Sequence, residues 1–321
     1  MVRYGILGAG NIARRFAASL AHETHAELVA VSRRSEEKAR EFLDQNPCVA
    51  DARSYGSHEA LLADPSVDAI YLALPHDLHR EWAIAALRAG KAVLCEKPAC
   101  VNEAEMCEVA EVARVESRLF MEAMKPRLTP THELVCNALP GIGELVRVEA
   151  TLCNDMLGMV EGTGTYHMTP GPGAGVLLDC GIYCASWIEE LCPGEPEVVD
   201  VSGVTKDGID VYVDARLRMG GVDVRLECAF DRAKPRTCTI VGTRGHIVVD
   251  ELHRPQRACV TLDGEEPQEL VAPYVVDDFF GEVHHMTDLV ERGVAESPAM
   301  PLDASIRCAR ILDVVRRSLP A

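Results

Sequence analysis

Arg3-Tyr4-Gly5-Ile6-Leu7-Gly8-Ala9-Gly10-Asn11-Ile12-Ala13 is the stretch whose reading decides the fold. Arg3 to Leu7 reads as a short buried strand, Gly8 to Ala13 as a G-x-G-x-x-A turn, and Arg14 to Leu20 as the helix that follows. Gly8 permits the tight turn, Gly10 lets the backbone approach a pyrophosphate, and Ala13 allows close packing of helix on strand. Asn11 and Ile12 open the helix, whose N-terminal N–H groups face the anion. Small residues cluster in turns for many reasons. Here the strand–turn–helix context raises a weak motif to a dinucleotide-binding reading.

The second strand selects the cofactor. Ala26 to Val31 is apolar and β-prone, and it runs into Ser32-Arg33-Arg34-Ser35. An acidic residue about twenty positions past the glycines would bind the ribose 2′-hydroxyl of NAD. This chain has an arginine pair instead. Arginine cannot accept from a hydroxyl, but it forks onto a 2′-phosphate and stacks on adenine. NADP is therefore expected over NAD, with Ser32 or Ser35 adding a hydroxyl contact. The bland alternative is a solvated charged loop ahead of the helix at 36–43.

About ninety residues on, Ala92-Val93-Leu94-Cys95-Glu96-Lys97-Pro98 puts a cation beside the carboxyl end of another strand. Open α/β sheets bind ligands at that end. A lysine next to a bound nicotinamide reads as acid–base or electrostatic machinery for hydride transfer.

Composition bounds these readings. The 321 residues suffice for about two domains. No apolar run reaches the length of a membrane span. With a net charge of −18 and no basic block, neither nucleic acid nor an anionic membrane is an expected partner. The N-terminus runs straight into the first strand, which leaves no room for a secretory leader, so a cytoplasmic location is expected. The thirteen cysteines are odd in number and lack any C-x-x-C, which suits buried thiols in a reducing compartment. No metal site is expected, since His76 and His79 lack a matching ligand set.

Residues 1–121 alternate strand and helix signals, with strands near 3–7, 26–32, 69–74, 92–95 and 118–121. This pattern predicts a Rossmann-type, doubly wound parallel sheet with helices on both faces. From residue 122 to 321 the pattern changes. A helix near 130–138 is followed by β runs at 145–153, 198–204, 211–218, 222–230, 237–241, 246–249 and 258–262. A helix at 176–192 interrupts them, and helices near 277–292 and 303–318 close the chain. The β runs are too closely spaced for βαβ crossovers, so a large, mainly antiparallel open sheet is expected in a C-terminal α/β domain. Residues 158–175, which include Gly162, Gly164, Gly171 and Gly173, form a long loop of the kind that often serves as a lid.

The helix at 176–192 carries Asp179 and Tyr183, four apart and so on one helical face. An ordinary polar pair at the edge of a packed helix is the competing reading. Glycines at 173, 175 and 181 favour the close approach of another backbone or a ligand.

Taken together, the G-x-G-x-x-A turn, Glu96-Lys97-Pro98, the glycine-rich lead into Asp179-x-Gly181-x-Tyr183, Met121-Glu122-Ala123, Gly242-Thr243-x-Gly245, Glu282 and Glu296-Ser297-Pro298 form a recognisable set. The chain resembles the glucose–fructose oxidoreductase/inositol dehydrogenase (Gfo/Idh/MocA) family over almost its whole length. Its motifs are most similar to those of the NADP-dependent dihydrodiol and xylose dehydrogenases, since inositol dehydrogenase carries histidine at the tyrosine position. The resemblance implies that Lys97 and Tyr183 face the nicotinamide and that Asp179 orients substrate hydroxyls. It implies a cis Lys97–Pro98 peptide, Glu96 and His79 beside the cofactor, and a homodimer or homotetramer formed through the C-terminal sheet; His79, near a helix start, is expected to be structural rather than catalytic. The implied substrate is a sugar, polyol or cyclic vicinal diol. Lys125-Pro126-Arg127 and the loop at 158–175 depart from the family pattern.

Chemically, Tyr183 is the better proton carrier, because its phenol titrates and can touch the substrate oxygen. Lys97 beside it would favour the phenolate and stabilise an alkoxide. Lys97 as the proton carrier is the alternative assignment. Bringing the three residues onto one substrate oxygen calls for a cleft between the domains. Two rival classes remain: a non-catalytic NADP-binding regulator on the same scaffold, and a hydrolase that uses NAD transiently. Retention of both Lys97 and Tyr183 argues against the first, and Arg33 with Arg34 against the second.

Overall fold

The computed structural model describes residues 1–49, 51–160 and 165–320. Gly162 and Gly164 of the long loop lie outside the described residues. The chain forms two compact units. The first comprises Met1–Cys100, Ala104–Met124 and Val275–Ser305; the second comprises Val101–Glu103, Lys125–Tyr274 and Ile306–Ala321.

In the first unit, six parallel strands are β1 (Val2–Leu7), β2 (Ala26–Ser32), β3 (Arg53–Tyr55), β4 (Ala69–Leu72), β5 (Ala92–Cys95) and β6 (Phe120–Glu122). Their spatial order is β3-β2-β1-β4-β5-β6. The order reverses between β1 and β4, which is where a doubly wound sheet opens a ligand crevice at its carboxyl end. β4 and β5 are buried at every position, as a sheet covered on both faces requires. Helix Asn11–Leu20 buries Ala13, Phe16, Ala17 and Leu20. Phe16 stacks on Tyr71 of β4 with centroids 3.8 Å apart, and burying such a ring stabilises by roughly 1.5–3 kcal/mol.

The segment Val275–Ser305 returns to this unit. Tyr4 Oη lies 3.1 Å from Thr287 Oγ1, Ser19 Oγ donates to Asp277, and Arg15 pairs with Asp278 while stacking over Phe279. Asp277 also accepts from the backbone N–H groups of Phe279 and Phe280, so helix Phe280–Glu291 starts later than the sequence pattern suggests.

In the second unit, eight strands form one sheet: β7 (Leu145–Cys153), β8 (Glu197–Lys206), β9 (Ile209–Met219), β10 (Val222–Ala229), β11 (Thr237–Gly242), β12 (Gly245–Asp250), β13 (Arg257–Leu262) and β14 (Gln268–Val271). The order is β14-β13-β12-β11-β7-β10-β9-β8. All pairs are antiparallel except β7 with β10. The fold is thus a Rossmann sheet followed by a mixed, mostly antiparallel sheet. Buried and more open positions alternate over all eleven residues of β9, so one face is packed and the other is more open.

The packed face is covered by a broken helix. The pattern at 176–192 predicts one helix, but helix Val176–Asp179 ends at Cys180 and a second begins at Gly181 and runs to Leu191. Every residue of the second except Glu190 is buried, which is how an almost uniformly apolar helix behaves. Among the described residues no helix is long and apolar enough to cross a membrane.

Candidate functional site

The glycine turn at the end of β1 has the geometry an anion needs. Gly8 sits at φ +90°, and a Cβ there would lie 2.4 Å from the Ala73 carbonyl oxygen. Only glycine fits that combination. A Cβ on Gly10 would meet nothing within 4 Å, so the space above the turn is open. Helix Asn11–Leu20 has no side-chain cap at its N-terminus, which leaves its first N–H groups available. Ala13 is fully buried, Ile12 half-buried and Asn11 exposed.

The neighbouring strand brings the basic pair alongside. Leu7 of β1 is in register with Ser32 of β2, and the Gly8 N–H donates to the Ser32 carbonyl at 3.3 Å. Arg33 is half-buried and Arg34 exposed. Among the described residues neither guanidinium is paired with a carboxylate. Ser32 is fully buried, with Oγ 2.7 Å from His58 Nδ1 and 3.3 Å from the Ile6 carbonyl. Its hydroxyl braces the base of the loop. Ser35 caps helix Glu36–Asp44 by accepting from the Lys38 N–H. An uncapped helix end and an open turn after β1, with two arginines after neighbouring β2 that have no carboxylate partner among the described residues, fit a phosphorylated dinucleotide.

Lys97 lies at the carboxyl end of β5, beside that of β4. The Glu96 N–H donates to the Leu72 carbonyl at 2.9 Å, and the Tyr71 hydroxyl donates to the Glu96 carboxylate. The other Glu96 oxygen accepts from the Lys97 N–H at 3.2 Å. Glu96 is therefore a buried brace for the segment that carries Lys97. The Lys97–Pro98 peptide is cis, as the resemblance implies. His79 lies just beyond β4 and is fully buried. Its Nδ1 is 2.9 Å from the Pro98 carbonyl and its Nε2 is 2.8 Å from the Leu74 carbonyl. Burial pushes the pKa of the ring down. A neutral imidazole donates to only one of these carbonyls, so His79 anchors one of the two loops by a hydrogen bond and packs its ring against the other.

In the second unit, Asp179 is the last residue of its short helix and Tyr183 lies in the first turn of the next. The break at Cys180 means that the two do not sit on one continuous helical face. Asp179 Oδ1 is 3.9 Å from His167 Nδ1, and both side chains are partly exposed. The Tyr183 ring is buried and meets His253 edge-on at 5.8 Å. The glycines around them have packing explanations. Gly175, at φ +101°, would place a Cβ 2.0 Å from Asp210 Oδ1, and Asp210 Oδ2 accepts from the Leu177 N–H at 2.7 Å. Asp210 thus serves as a helix cap borrowed from β9. Burial raises its pKa. Gly181 packs against Leu177 and Cys228.

Arg127, in the segment that departs from the family pattern, is buried. It donates to Ser186 Oγ at 2.9 Å, to the Ser186 carbonyl at 2.7 Å and to Glu189 at 2.5 Å. Arg307 pairs with the other Glu189 oxygen. His132 meets Glu190 at 2.8 Å. Nothing in the local sequence signals Ser32–His58, Gly175–Asp210 or the Arg127–Glu189–Arg307 network. Their partners are 26 to 118 positions apart.

The fold and this cofactor turn define a nicotinamide-dependent oxidoreductase scaffold. Residues 2–124 match the oxidoreductase family with an NAD-binding Rossmann fold, and residues 141–248 match the GFO/IDH/MocA C-terminal domain. The chain belongs to the Gfo/Idh/MocA family. It is 32% identical over 333 residues to trans-1,2-dihydrobenzene-1,2-diol dehydrogenase of Mus musculus, covering 99% of this chain and 97% of that one. It is 28% identical over 323 residues to scyllo-inositol 2-dehydrogenase (NADP(+)) of Bacillus subtilis (strain 168), with coverage of 99% and 97%. A 3-ketoreductase from Actinomadura kijaniata, solved with NADP and TDP-benzene, superposes with a TM-score of 0.87 at 26% identity over 99% of this chain and 98% of that one. That reductase has also been crystallised with a lysine replaced by alanine and with a tyrosine replaced by phenylalanine.

Proposed function

We propose that this protein is an NADP-dependent dehydrogenase or reductase acting on the CH–OH or carbonyl carbon of a sugar, polyol or cyclic vicinal diol. The observation that carries the reading is Arg33 and Arg34, neither paired with a carboxylate among the described residues, beside the open Gly8–Ala13 turn. An arginine pair there recognises a 2′-phosphate by charge-assisted hydrogen bonds. Support for the substrate class comes from full-length relatives named for a cyclic diol, an inositol and a 3-keto reduction.

Gly8, Gly10, Asn11, Ile12 and Ala13 hold the pyrophosphate, and Arg33 and Arg34 the 2′-phosphate. Ser32 supports their loop from beneath. The bound nicotinamide supplies the hydride acceptor or donor. In the oxidative direction the Tyr183 hydroxyl, as phenolate, takes the proton of the substrate hydroxyl; in the reductive direction it returns one. The Lys97 ammonium would stabilise the developing alkoxide. Asp179 accepts from a neighbouring substrate hydroxyl and fixes which carbon reacts. Glu96 and His79 keep the Lys97 segment in place.

Two finer readings accompany this one. A homodimer or homotetramer would form through the open face of the eight-stranded sheet, and the protein would act in the cytoplasm. Light scattering of the purified chain tests the first; a monomer at micromolar concentration would exclude it. The activity is tested by incubating the protein with NADP and a panel of trans-dihydrodiols, inositols and aldoses, then identifying the products. Steady formation of a ketone or lactone with equimolar reduced cofactor is expected. Cofactor binding without product across the panel would favour a non-catalytic NADP-binding protein.

A further inference from the structure

His132, Cys136 and Glu190, none of them assigned a role above, converge in the second unit. His132 and Cys136 are four apart on helix Pro130–Ala138, so they share a face. Glu190 is the sole residue of helix Gly181–Leu191 that is not buried. One ligand atom from each of the three side chains lies within 4.8 Å of the other two. His132 Nε2 is 2.8 Å from Glu190 Oε2, and Cys136 Sγ is 3.8 Å from His132 Nε2.

These separations are close to those of a coordination shell. With metal–nitrogen and metal–oxygen bonds of about 2.1 Å and a metal–sulfur bond of about 2.3 Å, tetrahedral angles put sulfur and nitrogen about 3.6 Å apart and nitrogen and oxygen about 3.4 Å apart. The sulfur is already at that distance, and a small rotation of the solvent-facing Glu190 would open the other. Arg127 Nε lies 3.8 Å from Glu190, and Arg127 and Arg307 share the buried Glu189 carboxylate. A thiolate at Cys136 and the Glu190 carboxylate would bring two negative charges to a dication. His132 is buried, Cys136 half-buried and Glu190 exposed, so a fourth position opens to water.

We propose that His132, Cys136 and Glu190 bind a borderline divalent transition metal, Zn2+ or Co2+, with water as the fourth ligand. A mixed nitrogen, sulfur and oxygen set selects such ions over Mg2+ or Ca2+. The ion would pin helix Pro130–Ala138 to helix Gly181–Leu191. The proposal is independent of the reaction assigned above and stands or falls without it.

Co2+ is the probe, because its bond to a thiolate gives a charge-transfer band and its tetrahedral field gives visible bands. The full-length protein, freed of metal by chelation, is titrated with CoCl2 in the absence of cofactor. Trp187, whose ring lies 5.0 Å from that of His132, provides a second readout by fluorescence quenching in a Trp82→Phe background. The expected result is saturation at one Co2+ per chain with both signals. The thiolate band is lost in Cys136→Ser, and affinity falls by at least about tenfold in Glu190→Gln and His132→Gln, the scale on which even outer-sphere partners matter. Circular dichroism and NADPH binding are expected to be unchanged in Cys136→Ser, which confirms that the variant is folded. A thiolate band of equal strength in Cys136→Ser would assign the metal to another cysteine and overturn the proposal. So would the absence of saturable binding below millimolar Co2+ in the wild-type protein.

Discussion

Replacing Arg33 tests the reading of the cofactor loop in quantitative terms. Arg33 is half-buried, sits directly after β2 and is held in place by its own N–H bond to the Tyr55 carbonyl at 3.2 Å. A hydrogen bond to a charged group contributes roughly 1.5–3 kcal/mol, and about 2 kcal/mol is reasonable for a partly desolvated guanidinium on a phosphate. That corresponds to about a 30-fold loss of NADPH affinity in Arg33→Ala. Arg34 is exposed and more screened, so about 1 kcal/mol, or about fivefold, is expected of Arg34→Ala. The double variant would lose on the order of a hundredfold if the two contributions add. NADH affinity should change little in any of these variants, because NADH has no 2′-phosphate. The assay is titration of NADPH and NADH by nicotinamide fluorescence at fixed ionic strength. Rising salt should weaken NADPH more than NADH in wild type and abolish that difference in the double variant. Parallel losses for both cofactors, or wild-type affinity for NADH equal to that for NADPH, would refute the reasoning.

Gly175→Ala should destabilise the protein by about 2–4 kcal/mol, because the new Cβ meets positive φ and displaces the Asp210 carboxylate from the Leu177 N–H. A thermal midpoint within a degree of wild type would contradict that. Arg127→Ala leaves Glu189 buried, although still paired with Arg307, and should cost about 3 kcal/mol by denaturant unfolding. Burial opposes ionisation of Asp64, but hydrogen bonds from Tyr55 and Ser66 and the charge of Arg53 outweigh it and pull the carboxyl down to about 2. Stability from a carboxylate so depressed is fully present above its unfolded pKa and is lost as pH falls through the folded value. Asp64→Asn should therefore cost up to about 2 kcal/mol at neutral pH, and the difference from wild type should narrow as pH drops below about 4. A difference that stayed constant down to acid pH would argue against the carboxylate as its source.

The Rossmann half was legible because each signal is local. The glycine turn, the apolar strands and the helix between them fall within about twenty residues, and one period decides each element. β3 escaped notice because Arg53-Ser54-Tyr55 is short and polar and is held as a strand only by pairing with β2. β14 escaped for the same reason, since Gln268–Val271 is mostly exposed at a sheet edge. The antiparallel character of the second sheet follows from the close spacing of its strands. The parallel pairing of β7 with β10 does not, because some 70 residues separate them. The glycines around Asp179 pointed to close approach of another backbone or a ligand, and Gly175 and Gly181 answer instead to the Asp210 side chain and to packing on Leu177 and β10. The break at Cys180 is invisible to a periodicity argument, because the residues on both sides are equally apolar. Lys97 and Tyr183 stood out in the sequence as chemistry without a local structural reason. The structural role expected of His79 is what its hydrogen-bond geometry gives it, whereas Glu96 and Ser32 act as braces through partners recognisable only in the folded chain.

Single-turnover hydride transfer tests the central claim most directly. NADPH is bound in advance, a carbonyl substrate identified from the panel is added, and loss of the reduced nicotinamide is followed in wild type, Lys97→Ala and Tyr183→Phe. Cofactor affinity is measured in parallel. The account predicts that both variants bind NADPH within a few-fold of wild type while the transfer step slows by about a hundredfold or more, the scale of a positioned proton donor. Transfer at the wild-type rate in either variant would remove that residue from the chemistry. Wild-type protein that binds NADPH tightly yet transfers no hydride would contradict the account as a whole.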